Sequence, residues 1–313
     1  MDHPRALIAE LLRDEFDNAR IQLVNFHPRV SNRRSSTASV QLIRGKGCRA
    51  AWARGGRLPR RARTFTGVVT IKNTSAVPSV DYLAVPVATS DRPGPWPGVV
   101  LVHDLFGPGD DMKEQVDWLA AAGYLTAMPD LYSGRSAIRC VQGSFRQLLA
   151  RRGPVFDRLE QARSELAANP DCTGTVGIIG YCIGGGFALL LAGRTGWDAA
   201  AINYGELPED LDAVLATPCP IVASFGGKDR SLPRAAAKLE AALARSGVAH
   251  DVKEYQPAGH GFINRLTAAS PLTPLMKVFG VGYDHDSAAD AKRRILDFFD
   301  VHLRQAAPSS DPA

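Results

Sequence analysis

From Thr64 to about Leu303 the apolar positions alternate between two textures. VVLV (99–102), YLTAM (124–128), VGIIG (176–180), AAAINY (199–204) and IVASF (221–225) are short, mostly apolar runs without alternation, and VKEYQ (252–256) is a more polar run of similar length. Runs of this kind are strands buried on both faces, as in a parallel sheet. Helical spacing fills the intervals. Met112, Val116 and Leu119 mark one inward face, and Val155, Leu159, Ala162 and Leu166 mark a second. GGFALLLAG reads as a small-residue helix, 233–246 as another, and 287–304 as a last one carrying Ile295, Phe298, Phe299 and Leu303. Ahead of these, TFTGVVTIK (64–72) and VDYLAVP (80–86) predict an antiparallel pair separated by a turn region with Pro78. The whole predicts an α/β domain over 64–304, a mostly parallel central sheet with helices on both faces. The segment 133–153 reads as a lid of undefined geometry, and no internal repeat is visible.

Charge divides the chain at the same point. Of 313 residues, the first 63 hold 14 Lys/Arg against 5 Asp/Glu, while the other 250 hold 23 against 27. Residues 29–63 carry 11 basic residues and no acidic one. The formal charge of +5 therefore describes neither part. Over 5–19, Leu7, Ile8, Leu11, Leu12 and Phe16 suit a short amphipathic helix, but the rest of the extension lacks periodicity and repels itself, so 1–63 is expected to be largely disordered, as is 305–313. The extension reads as a solvated tail or as translation from an upstream start. A nucleic-acid tail and an organelle transit peptide are the sharper alternatives. With the motif-bearing part acidic, no nucleic-acid partner is expected.

No apolar run nears the length of a membrane-spanning helix, which excludes a membrane protein of that kind. The five cysteines (Cys48, Cys140, Cys172, Cys182, Cys219) are far apart and unpaired in spacing, which suggests neither disulfides nor a zinc site. A cytoplasmic setting is the simplest expectation.

The chemistry concentrates at VGIIGYCIGGG (176–186). A buried strand runs through Gly180-Tyr181-Cys182-Ile183-Gly184 directly into a helix, which is the G-x-S-x-G nucleophile elbow with cysteine in the serine place. The turn is sharp enough that the residues two before and two after the nucleophile must lack side chains. The positive end of the helix then favours a thiolate. An acid and a histidine should follow in that order. Asp229 stands 47 residues on, after IVASFGGKD, and His260 a further 31 on, in VKEYQPAGHGF. His260 would take the thiol proton and later activate water, with Asp229 fixing its tautomer. Two backbone N–H groups should form an oxyanion hole: Ile183, next to the nucleophile, and Leu105, in the HDLFG loop after VVLV. His3, His27, His103, His250, His285 and His302 lack this context and read mostly as surface residues.

With these residues assembled, the chain resembles the dienelactone hydrolase family of α/β-hydrolases over about residues 80–304. The motifs that carry the resemblance are HDLFGPGDDMKEQVDWLAAAGYLTAMPDLY, VGIIGYCIGGGFALLLAG, SFGGKDRSLP and EYQPAGHGFINR. The resemblance implies the α/β-hydrolase fold and a triad at Cys182, Asp229 and His260. It also implies a supporting acid at Asp104, where the family usually has glutamate. Substrate contacts would come from Tyr204 and from an arginine after the triad histidine. Here Arg265 lies one position later than the pattern, with Asn264 at the expected place; Arg135, Arg139 and Arg146 compete for a second arginine. The implied activity is hydrolysis of an ester or lactone, such as a dienelactone-like enol-lactone, through a thioester and without metal or organic cofactor. A catalytically silent scaffold that binds a small ligand or partner is the alternative. Oligomeric state is not expressed in the sequence.

Overall fold

The computed structural model describes residues 40–42, 68–72, 79–89, 92–132, 137–265 and 281–304. The expected helix over 5–19, most of the basic extension, the 305–313 tail and Arg135 lie outside the described residues. Among the described residues nine strands form one sheet: β1 (Val40–Leu42), β2 (Val68–Lys72), β3 (Tyr82–Pro86), β4 (Trp96–Val102), β5 (Leu125–Met128), β6 (Cys172–Tyr181), β7 (Ala200–Asn203), β8 (Ile221–Gly226) and β9 (His250–Tyr255). Their order is β1-β2-β3-β5-β4-β6-β7-β8-β9. Strands β4 to β9 are parallel to one another, while β1, β2 and β3 continue the sheet antiparallel beside β5. The antiparallel start is therefore present, with Val69 opposite Val85 and Ile71 opposite Leu83. Strand β1 lies within the extension expected to be disordered. Val40-Gln41-Leu42 finds a complete antiparallel partner in β2, so backbone pairing holds three residues that composition alone assigned to a tail.

The expected helices are α1 (Asp110–Ala121), α3 (Pro154–Ala167), α4 (Ile183–Ala192), α6 (Ala235–Ser246) and α7 (His285–Phe299), the last continued by a π-helical turn over Asp300–Arg304. A short α5 (Leu211–Val214) was not expected, nor was α2 (Ala137–Ala150), which occupies the segment read as a lid.

Alternate residues of each parallel strand feed two apolar clusters. Val100, Val102, Ile178 and Ile202 pack with Phe156, Leu159, Phe187 and Leu239 of α3, α4 and α6. Their neighbours Val99, Leu101, Ile179 and Tyr181 pack with Met112, Val116, Leu119, Ile295 and Phe299 of α1 and α7. The continuous apolar runs follow from this two-sided burial. Every residue of β4, β5, β7 and β8 is buried. The outer strand β9 is held differently. Buried Arg294 of α7 donates to Asp251 at 2.9 Å and to the Tyr255 hydroxyl at 3.1 Å, which ties both ends of β9 to the helix.

Candidate active site

The parallel strands direct their carboxyl ends to one edge of the sheet, where open α/β sheets place their ligand crevice. The HDLFG loop follows β4, Cys182 follows β6, Tyr204 follows β7, Asp229 lies just past β8 and His260 just past β9.

Cys182 joins β6 to α4 with φ 56° and ψ −119°, a conformation that side chains resist. The two glycines around it are required by contact. A Cβ on Gly180 would stand 2.0 Å from the carbonyl oxygen of Gly184, and one on Gly184 would stand 2.3 Å from that of Val102. The Cys182 N–H donates to the Asn203 carbonyl at 3.1 Å, fixing the turn against β7. The cysteine is partly exposed, whereas Cys172 and Cys219 are buried free thiols.

Asp229 and His260 meet because two loops are laced together. Gly227 N–H donates to the Tyr255 carbonyl at 2.8 Å, and Lys228 N–H to that of Ala258 at 2.9 Å. Gly226 packs so tightly on this loop that a Cβ there would stand 2.4 Å from the Gly259 oxygen. His260 Nδ1 then lies 2.6 Å from Asp229 Oδ2. The other carboxylate oxygen accepts from the Ser231 N–H at 2.9 Å and its hydroxyl at 2.5 Å. Burial alone would raise the Asp229 pKa, but the His260 and Ser231 donors outweigh it and hold the carboxyl below its ordinary range. Burial likewise opposes a charge on His260. The adjacent Cys182 sulfur and the Asp229 carboxylate overcome it and lift the imidazole to about 10. A hydrogen bond joins His260 to Cys182, so the three expected residues stand in the order Cys182, His260, Asp229.

Tyr204 is 1% exposed, and its ring centroid lies 5.2 Å from that of His260. It forms an apolar wall on that side. Leu105 lies in the turn after β4, and Ile183 is the first residue of α4, directly after Cys182, where a helix leaves its N–H without an intrahelical acceptor.

Asp104 is 7% exposed. Burial raises its carboxyl to about 6, against the Phe106 N–H that donates to it at 2.9 Å and a hydrogen bond from Asn264. Asn264 is itself buried, and its side-chain oxygen accepts from Gln115 at 3.4 Å. A file of three buried polar side chains, Asp104, Asn264 and Gln115, thus runs from the HDLFG loop into α1. Asn264 takes the inward place, whereas Arg265 is exposed and lies over the Tyr283 ring at 5.1 Å. Arg146 is also exposed, and the side chain of Arg139 lies outside the described residues.

The raised Asp104 pKa has a stability consequence. A carboxyl moved from 3.8 to about 6 binds its proton more tightly when folded, so its contribution is fully present below about pH 4 and is lost as pH rises through 6. The loss amounts to about 3 kcal/mol by pH 8. Asp104→Asn is expected to abolish that part of the pH dependence. Urea midpoints at pH 5 and pH 8 check this; parallel wild-type and variant changes would refute it.

His103 differs from its expected surface position. It is 1% exposed, because its ring turns back under the loop it begins rather than out to solvent. The contacts of His103 with Leu131 and Tyr132, and of Asn264 with Gln115, join residues far apart in sequence, so no local motif marks them. Among the described residues, no three His, Cys, Asp or Glu side chains converge as metal ligands would. No described helix is long and apolar enough to cross a membrane.

A family profile described as the dienelactone hydrolase family matches residues 83–303, which contain all of these side chains. The chain belongs to the dienelactone hydrolase family. The carboxymethylenebutenolidase of Pseudomonas putida is 30% identical to it over 219 residues, covering 67% of this chain and 87% of that protein. The carboxymethylenebutenolidase of Rhodococcus opacus is 27% identical over 247 residues, covering 72% and 89%. A crystal structure of a dienelactone hydrolase-like promiscuous phosphotriesterase from metagenomic libraries aligns with a TM-score of 0.56 at 21% identity, covering 76% of this chain and 94% of that one. This last likeness shows the shared α/β-hydrolase fold. The protein is thus a dienelactone hydrolase-like hydrolase, preceded by a stretch of about 80 residues that the family profile does not match.

Proposed function

We propose that this hydrolase cleaves carboxylic esters or lactones, with an enol-lactone of the dienelactone type as the substrate class its relatives suggest, through a thioester on Cys182. The observation that carries the reading is the hydrogen-bonded order Cys182, His260, Asp229 at the elbow. In this scheme the Cys182 sulfur attacks the carbonyl carbon, and the oxygen takes up the electron pair. The N–H groups of Leu105 and Ile183 hold that oxyanion. The pair then returns, the carbon–oxygen ester bond breaks, and His260 gives its proton to the leaving oxygen. In a lactone the leaving oxygen stays on the same molecule, as part of the acyl chain. Water next attacks the thioester, with His260 accepting its proton, and the second tetrahedral species expels the thiolate. Asp229 keeps Nδ1 protonated so that the other ring nitrogen faces the reaction.

Asp104 is assigned the supporting acid's part. Its carboxyl changes charge near neutral pH and faces the imidazole, so it can adjust the proton balance of the thiolate–imidazolium pair. Tyr204 is assigned to the wall beside the acyl group.

The test is a panel of aryl esters and five-membered lactones, followed by acid quench within the first turnover. An acyl mass increment on the peptide containing Cys182 is expected. Turnover with no increment on that peptide under any quench condition, or an increment elsewhere, would overturn the thioester route.

A further inference from the structure

His103 has no part in the reaction proposed above, yet it is more deeply buried than His260 and both ring nitrogens are engaged. Nδ1 lies 2.7 Å from the carbonyl oxygen of Asp104, and Nε2 lies 3.1 Å from the backbone nitrogen of Leu131. A carbonyl only accepts, so Nδ1 carries the proton. A backbone amide only donates, so Nε2 is bare. The two contacts therefore select one neutral tautomer. A second proton would set two N–H groups against each other at Leu131. Burial lowers the ring's pKa and works in the same direction, together with Arg158, against the Asp104 hydrogen bond and the charges of Asp130 and Asp81.

The carbonyl that His103 holds belongs to the same peptide group as the Leu105 N–H. In a trans peptide these two ends point in opposite directions. Drawing the oxygen toward His103 therefore aims the N–H the other way. Gly107 N–H strengthens the grip on the same oxygen at 3.2 Å. The next peptide group is held as firmly: the Tyr132 hydroxyl donates to the Leu105 carbonyl at 2.8 Å, and the Phe106 N–H donates to Asp104 Oδ1 at 2.9 Å. The rings of His103 and Tyr132 pack edge to face, with centroids 4.8 Å apart.

We propose that His103, as a neutral Nδ1–H donor to the Asp104 carbonyl, is the positioning residue that aims the Leu105 N–H at the substrate oxyanion, with Tyr132 locking the peptide that follows. The inference rests on the thioester reading. A hydrogen bond to the carbonyl also polarises its amide, which makes the Leu105 N–H a stronger donor. Without this hold, rotation of the peptide would present a carbonyl to the developing negative charge.

Three variants test this on an aryl acetate, alongside alkylation of Cys182 by iodoacetamide, a displacement at carbon that builds no oxyanion. His103→Leu is expected to lower kcat by about 10²-fold, the size of effect of losing one oxyanion donor, with KM changed less than about threefold. Its alkylation rate should stay at the wild-type value. His103→Gln offers one amide donor and one amide acceptor and should recover most of kcat. If His103→Leu turns over at the wild-type rate, or loses alkylation and kcat together, the inference fails. Should His103→Leu not fold, Tyr132→Phe decides: a fall in kcat with unchanged alkylation supports the inference, and an unchanged kcat overturns it. Cys182→Ala serves as the control. If it stays active, the thioester reading falls and this inference with it; an inactive Cys182→Ala beside a fully active His103→Leu overturns this inference alone.

Discussion

Cys182→Ala is expected to lower turnover by about 10⁴-fold or more while the protein melts within a few degrees of the wild type. The fold should survive because the change removes only a partly exposed sulfur. Alanine and cysteine both carry a Cβ, so the conformation at φ 56° is no more strained than before. Catalysis should not survive, because Asp229 and His260 would then have no nucleophile to activate. What remains should be the modest acceleration that a bound, polarised carbonyl gives to direct attack by water. A second readout separates this from a merely structural effect. The Cys182 sulfur is the foremost influence raising the His260 pKa to about 10, acting against burial. Its removal should lower that pKa. NMR titration of the ring reads this directly, and an unchanged His260 titration would contradict a charged cysteine–histidine pair.

Gly180→Ala is expected to destabilise the whole domain by more than about 4 kcal/mol, the range reserved for severe steric conflict. The new Cβ would meet the Gly184 oxygen at 2.0 Å and its carbonyl carbon at 2.4 Å. Both are backbone atoms, so no side chain can swing aside. Either β6 or the first turn of α4 must shift, and the room on the far side of Gly184 is small, since a Cβ built there would itself stand 2.3 and 2.6 Å from the Val102 and His103 carbonyl oxygens. Thermal unfolding should show a loss of about 10 °C or more, or no soluble protein. Gly143→Ala in α2 is the contrast. A Cβ there meets nothing within 4 Å, so helix propensity should govern and the variant should gain up to about 1 kcal/mol. A Gly180→Ala protein that melts with the wild type would show that the elbow is looser than its contacts imply.

These two positions also explain what could be read from the chain before its structure. The elbow is legible because its spacing records a steric condition between residues four apart, and the condition is local. The parallel strands are legible because burial on both faces leaves unbroken apolar runs. Asp229 could be placed because it stands just beyond such a run, and His260 because it follows the more polar strand VKEYQ in a glycine-flanked loop. Distance in sequence explains the misses. His103 binds a backbone amide 28 residues away, and Asn264 meets Gln115 across 149 residues. A single backbone or amide partner leaves no pattern in composition. The helix α2 was obscured because its described apolar positions disagree: Leu148 is buried while Leu149 is 72% exposed. Strand β1 is too short for alternation to register, and its pairing with β2 is what defines it.

The backbone at Cys182 lies where only glycine rests without strain, a cost of about 1–3 kcal/mol that the surrounding packing must carry. Activity and persistence therefore pull this one position in opposite directions. On the thioester route proposed above, selection for turnover keeps the sulfur, whereas selection for abundance alone would favour Cys182→Gly. For a duplicated gene no longer needed for hydrolysis, losing the nucleophile is thus a downhill step in folding. On that route, drift from enzyme to inert scaffold has its easiest exit at the residue that would carry the acyl group.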